Sequence, residues 1–365
     1  MKSIFSFKKS YFTPFKTTLF LPLQIHGARQ LSGTKVMLGD EREIKNPFNT
    51  FPKSQLSQKN FDIVEGEELS EEEEVDSEEE GFRDEEALNE QLGEACKEGS
   101  IEEVVRLIEM GADDLNNAFE SSCIGGNREI IDLLITKGVQ DWNVGLRGAC
   151  LGGNIEIAEE MIKRGANDFA SALEAACCAG RSELAFKMIA MGADNWNEGL
   201  AWCCLGGNLE LAEELIKKGA DNFDNALEAA CCGGHFLIAE RMIELGAKDW
   251  NVGLYGACFG GKQEMIDFIT SKAPSDWMFD WNIGLHGAAE GGHKGIVEMI
   301  LSKKGGVELN FDSGLVGAAE GGNLEIAEMM LQKGAKDINK AIEKANQNGQ
   351  NELAQFLSQK ISNQK

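Results

Sequence analysis

The stretch DWNVGLRGACLGGNIEIAEEMIKRGA, residues 141–166, decides the fold, because almost everything from residue 91 onward repeats it with substitutions. Copies aligned on the glycine before the second apolar run fall at Gly99, Gly126, Gly153, Gly180, Gly207, Gly234 and Gly261, 27 residues apart. The interval stretches to 31 at Gly292 and 30 at Gly322, then returns to 27 at Gly349. Ten units at a nearly fixed period make one repeat array rather than several independent domains.

Within 141–166, Leu146, Ala149 and Cys150 share one face of a short first helix. Asn143 is the expected N-cap, and Gly152-Gly153 is expected to end the helix through a left-handed residue. Asn154 is expected to cap a second helix, with Glu156, Glu159 and Glu160 in its early turns and Lys163 and Arg164 in its last. Ile157, Met161 and Ile162 supply its apolar stripe, and Gly165 stops it. Such a pair of antiparallel helices is too small to bury its own apolar face, so it must stack on its neighbours.

Two columns support stacking. Three residues before the aligned glycine stand Cys96, Cys123, Cys150, Cys177, Cys204, Cys231 and Cys258, then Ala289 and Ala319, a small, apolar, buried position. Eleven before it stand Leu115, Trp142, Phe169, Trp196, Phe223, Trp250, Trp281, Phe311 and Ile338. These large hydrophobes are expected to form a continuous spine under the loops that join units. Residues 141–194 and 195–248 also read as successive copies of a two-unit block.

The segment GLHGAAEGGHKGIVEMILSKKGG, residues 284–306, resembles an ankyrin repeat. Leu285-His286 matches the family's Leu-His, Ala288-Ala289 its small pair, Gly292-His293 its Gly-His, and Ile296 onward its second helix. The resemblance runs from Leu92 to about Leu357. It implies an all-α fold over residues 91–360, an α-solenoid of about ten stacked ankyrin-like helix pairs. It also implies a scaffold for protein–protein contacts. The 27-residue unit omits the residues that project the family's β-hairpin finger and places Asp-aromatic-Asn there, so contacts at hairpin tips do not carry over. Glu94, Lys97 and Glu98 make the first unit polar, and AIEKANQNGQNELAQFLSQK does the same for the last, as end caps require.

The formal charge of −26 is unevenly placed. Residues 1–60 carry ten Lys/Arg against three acids and are expected to form a disordered basic leader. Residues 61–90 carry sixteen acids against Arg83 and are expected to form an extended, solvated linker. Ser70 and Ser77 there precede glutamates, a setting acidophilic kinases favour, although a plain spacer is the stronger reading. Residues 91–365 carry 24 bases against 42 acids, which argues against nucleic-acid binding by the array. No apolar run reaches the roughly 18 residues of a membrane span. Ten cysteines at this length point to free thiols and a cytoplasmic location. A mitochondrial adaptor is the alternative, since residues 1–39 hold six Lys/Arg and no acid, as transit peptides do.

Chemistry has little to stand on. Cys177-Cys178, Cys203-Cys204 and Cys231-Cys232 lack the spacing of a metal site, and the period already explains most of the thiols. Gly-Gly ahead of a helix recurs as punctuation rather than as a phosphate loop. His235 and His293 fall in one column and His286 in that of Leu-His, all three as capping or turn-bonding residues rather than bases, and no nucleophile–base pair can be assembled. A non-enzyme without metal or cofactor is expected, a monomer that binds protein partners through its surface. The candidate contact is Val252, Tyr255, Phe259, Ile283 and His286, on first-helix positions opposite the core face, with Trp277 in the irregular insert of 274–278. The competing reading is that these side chains cover the neighbouring unit's loop.

Overall fold

The computed structural model describes residues 77–303 and 309–362. The expected leader, Ser70 and most of the acidic linker lie outside them. Twenty helices follow, in ten pairs. The first helices of the pairs are α1 (Ser77–Glu98), α3 (Leu115–Gly125), α5 (Trp142–Gly152), α7 (Phe169–Cys178), α9 (Trp196–Gly206), α11 (Phe223–Gly233), α13 (Trp250–Phe259), α15 (Trp281–Glu290), α17 (Phe311–Gly321) and α19 (Ile338–Gln347). The second helices are α2 (Ile101–Glu109), α4 (Arg128–Thr136), α6 (Ile155–Arg164), α8 (Ser182–Ala190), α10 (Leu209–Lys218), α12 (Phe236–Glu244), α14 (Gln263–Lys272), α16 (Lys294–Leu301), α18 (Leu324–Lys333) and α20 (Asn351–Ser362). Among the described residues there is no strand. The array is an all-α solenoid of stacked helix pairs, with no hairpin between units among the described residues.

Each first helix stacks directly on the first helix of the next unit, while each second helix packs chiefly on its own partner. The small columns make this possible. All seven column cysteines are buried, as are Ala289 and Ala319. Leu146, Leu173, Leu200, Leu227, Leu254, Leu285 and Leu315 are fully buried beside them. The ten cysteines are free.

The two glycines that end a first helix do different work. Gly153 is left-handed, φ 88°, and closes α5. Gly152 is needed for space, because a Cβ there would lie 2.2 Å from the carbonyl oxygen of Ile124, one unit back. Only the second glycine acts as the terminator expected of the pair.

Three further expectations need correcting. Asp141, not Asn143, caps α5: its carboxylate accepts from the amides of Asn143 and Val144 at 3.1 and 3.3 Å. Asn143 instead reaches forward, and its carbonyl oxygen accepts from the amides of Asn167 and Asp168 in the next loop at 2.7 and 2.9 Å. Asn154 stands at the N-cap position of α6 but makes no capping bond. Its amide donates backward to the carbonyls of Cys123 and Ile124 at 2.7 and 3.0 Å. These backbone groups are orphans of the end of α3, so the side chain that would have capped its own helix satisfies a neighbour's. In α6 the buried stripe is Ile157, Ala158 and Met161, with Ile162 half-buried.

The large column does not form a continuous buried spine. Its members are the first residues of the first helices, and only Trp250 and Ile338 are buried. Trp142 lies edge-on to Phe119, with centroids 6.1 Å apart, and Arg164 sits 5.1 Å above its ring. Lys303 sits 3.6 Å above Trp281. Placed at a helix start and half-buried, Trp142 and Trp281 each present one ring face to a cation.

At the N-terminus, α1 begins at Ser77, so the part of the expected extended linker from Ser77 onward is helical. Glutamate and alanine are good helix formers, and Leu92 and Cys96, fully buried against the array, anchor the end of this helix.

Candidate functional site

The first-helix position six before the aligned glycine is polar in most units, with Gly93, Ala201 and Val316 as the exceptions. In units two to four it is self-satisfied. Glu120, buried in α3, is paired with Arg147 of α5. Glu174 of α7 accepts from Trp202 Nε1 at 3.0 Å and from Asn195 Nδ2 at 2.8 Å. Burial pushes both carboxyls above the ordinary range, against the pull of these partners. Burial also pushes Glu228 of α11 up to about 8, with the charges of Glu290 and Asp249 adding to it.

The column then changes character at Tyr255 and His286. The Tyr255 ring stacks on Phe259, centroids 5.9 Å apart, and on His286, at 6.3 Å. Its hydroxyl donates to Glu290 Oε2 at 2.6 Å. His286 Nδ1 lies 3.0 Å from the carbonyl oxygen of Ser313 in α17, while Nε2 lies 3.0 Å from Glu320 Oε2 and 3.6 Å from Glu290 Oε2. Lys344 Nζ is 3.0 Å from Glu320 Oε1. Burial would raise Glu320, but the bond from His286, the charge of His286 and Lys344 outweigh it and hold the carboxyl at about 2. Burial pushes the Tyr255 hydroxyl well above its usual value, and Glu290 adds to it.

Three of the six residues singled out in the sequence therefore meet: Tyr255, Phe259 and His286. All six are half-buried rather than projecting. Val252 and Ile283 stand one turn before Tyr255 and His286 on α13 and α15. Trp277 lies in the connection after α14, where its amide donates to the Pro274 carbonyl at 2.9 Å and its buried Nε1 has no hydrogen-bond partner.

A second surface also exposes large apolar side chains. On α12, Leu237 is 74 % exposed, beside Phe236, which meets Phe268 of α14 edge-on at 5.4 Å. Reading the first-helix columns misses this patch. The signal lies three residues after the aligned glycine, where Glu102, Glu129, Glu156, Glu183, Glu210, Glu264, Glu325 and Glu352 make a glutamate column broken only by Leu237 and Gly295.

No family model matches the chain, and no curated protein matches it. Among the solved structures that match is the human ASB11 ankyrin repeat domain. It is 22 % identical, with a TM-score of 0.34, over 51 % of this chain and 97 % of that one.

Proposed function

We propose that the array is a non-catalytic scaffold that holds a protein partner, with the contact centred on Leu237. The carrying observation is that Leu237 projects from a column which holds glutamate in eight of its ten units. An acid in the first turn of a helix contributes about 0.3–1 kcal/mol through the helix dipole. Leucine gives that up and leaves apolar surface in water, so the residue does nothing for folding that glutamate would not do better. Its place next to Phe236 in the chain, itself partly exposed, suits an interface anchor. The net negative charge of the array favours a partner segment with an apolar side chain flanked by Lys or Arg. The half-buried group of Tyr255, Phe259 and His286, with Val252, Ile283 and Trp277, is the second contact we assign.

The test is Leu237→Glu, which installs the residue other units already carry and so should fold as the parent does. Partners captured on the parent array and identified should bind the variant about thirtyfold more weakly, the equivalent of about 2 kcal/mol at a hot spot. Equal binding would remove Leu237 as the anchor. Replacing Tyr255 and Phe259 by Ala is less clean, because it also removes a ring stack and the bond to Glu290. The reading places the scaffold in the cytoplasm; import of a reporter fused to residues 1–39 into mitochondria would favour the adaptor reading instead.

A further inference from the structure

Two positions before the aligned glycine, the column runs Ile124, Leu151, Cys178, Leu205, Cys232 and Phe259, then becomes Glu290 and Glu320. His286 enters the neighbouring column in the same place. These changes coincide with the units where the period lengthens to 31 and 30. Two carboxylates thus replace side chains that were apolar or thiol, and an imidazole follows Glu228 and Tyr255 in the column beside them, in side-chain positions only 6 %, 15 % and 22 % exposed for Glu290, Glu320 and His286.

The imidazole is oriented from outside the acid pair. A carbonyl oxygen only accepts, so the 3.0 Å contact with Ser313 puts the proton on Nδ1. Nε2 faces Glu320 and Glu290 at 3.0 and 3.6 Å, and since a carboxylate also only accepts, Nε2 carries a proton shared with Glu320 until an ion displaces it. The three candidate ligand atoms all lie within 4.8 Å of one another. Ligands on a tetrahedral ion with bonds of about 2.0–2.2 Å are separated by about 3.3–3.6 Å, so the two distances from Nε2 bracket that range closely. Two ligands have an outer partner on their far atom, Ser313 for His286 and Lys344 on the other oxygen of Glu320, while the Tyr255 hydroxyl orients Glu290 through the same Oε2 that faces the imidazole. Metal sites are built in this way, with hydrogen bonds from behind setting tautomer and carboxylate orientation.

We propose that His286, Glu290 and Glu320 form a site for a divalent cation of the Zn²⁺ or Mn²⁺ class, with water completing the coordination. One imidazole and two carboxylates suit such ions; copper(I) would call for thiolates, and Ca²⁺ for six to eight oxygens. The two carboxylates balance the charge of the ion. Binding breaks no covalent bond except an N–H: any proton on Nε2 goes to solvent as the metal takes its place, and nothing is oxidised or reduced. The ion would tie α15 to α17 where the connection between units is longest, stiffening the C-terminal part of the array. The competing occupant is a proton, with imidazolium pairing both acids.

The experiment uses the full chain, kept reduced, stripped with a chelator and titrated with Co²⁺ and Zn²⁺ by calorimetry and absorption spectroscopy. The expected result is one saturable site with visible cobalt bands and no thiolate charge-transfer band, together with a higher Tm. Glu320→Gln and His286→Gln should each weaken it at least about tenfold, and Tyr255→Phe should weaken it less. Absence of saturable binding, binding unchanged in Glu320→Gln, or a thiolate band would each overturn the proposal. The parent spectrum decides between nitrogen–oxygen and thiolate ligation even if a variant fails to fold. None of these outcomes depends on partner capture at Leu237.

Discussion

The side-chain amide of Asn154 donates to the carbonyl oxygen of Cys123 at 2.7 Å, joining two residues 31 apart that belong to successive units. The same column repeats the contact with Asn127 on Cys96 at 2.7 Å, Asn208 on Cys177 at 2.9 Å and Asn323 on Ala289 at 2.8 Å. These bonds hold the ends of successive first helices in register. Replacing Asn154 by Ala leaves two part-buried carbonyls without that donor, and should cost about 1–2 kcal/mol. The shift in denaturant midpoint at unchanged slope measures it, and no shift would mean that water replaces the amide fully.

Glycines at a helix end separate into those required for space and those required for conformation. Gly260 has an ordinary helical φ, but a Cβ there would lie 2.1 Å from the carbonyl oxygen of Cys232. Gly246 has φ 109° and nothing within 4 Å. Gly260→Ala should cost about 1–3 kcal/mol by forcing α11 and α13 apart, and Gly246→Ala about 1–2 kcal/mol through backbone strain alone. Only the first should alter the packing of adjacent units, visible as faster amide exchange across α11 and α13. Ala179 occupies the corresponding place at one junction, so a wider junction is attainable there.

His235 and His293 take the place of Asn in that column. Nε2 of His235 lies 3.0 Å from the Leu205 carbonyl, and His293 bonds that of Phe259. Burial lowers both pKa values and the charge of Lys262 adds to it, against the pull of the carbonyl bond. With folded values below the unfolded value of about 6.5, the unfolded chain binds more protons as pH falls through that point. The two histidines therefore contribute stability above about pH 6.5 that is lost as the solution is acidified toward their depressed values. The double variant His235→Asn, His293→Asn keeps the cross-unit bond and should lose less stability than the parent between about pH 7 and pH 5. Parallel pH profiles for the two proteins would contradict this.

Burial pushes the thiols of Cys96, Cys123, Cys150 and Cys258 up to about 12. The thiolate is the nucleophile, so these residues should resist alkylation at about pH 8 in the folded chain and react at ordinary rates once denatured. Cys178 and Cys232 are the two that are not fully buried, yet they too are raised, to about 11 and about 12. Mass spectrometry of the native chain after brief iodoacetamide treatment should find little label. Rapid modification of Cys150 would mean that the units open locally.

Period, helix pairing and the buried cysteine column were legible because each unit is a short-range object whose pattern is written ten times. Gly152 and Gly153 are adjacent letters with the same local propensity, and only the packing of α5 on α3 separates their tasks. Asn143 and Asn154 illustrate the same limit. Both are good capping residues, but their side chains bond backbone one unit forward and one unit back. Leu237 was readable as the break in a glutamate column, while its exposure depends on how far α12 stands from its neighbours.

The sequence by itself determined that this chain is an array of stacked helix pairs, because periodicity and glycine placement are local and repeated. Tertiary structure alone decided which side chains meet between units. His286, Glu290 and Glu320 lie up to 34 residues apart and become neighbours because stacking brings α15 and α17 side by side. A one-dimensional pattern records the spacing along each helix. The distance across a helix interface is set by what packs between, and here it is set by glycines that let backbones approach.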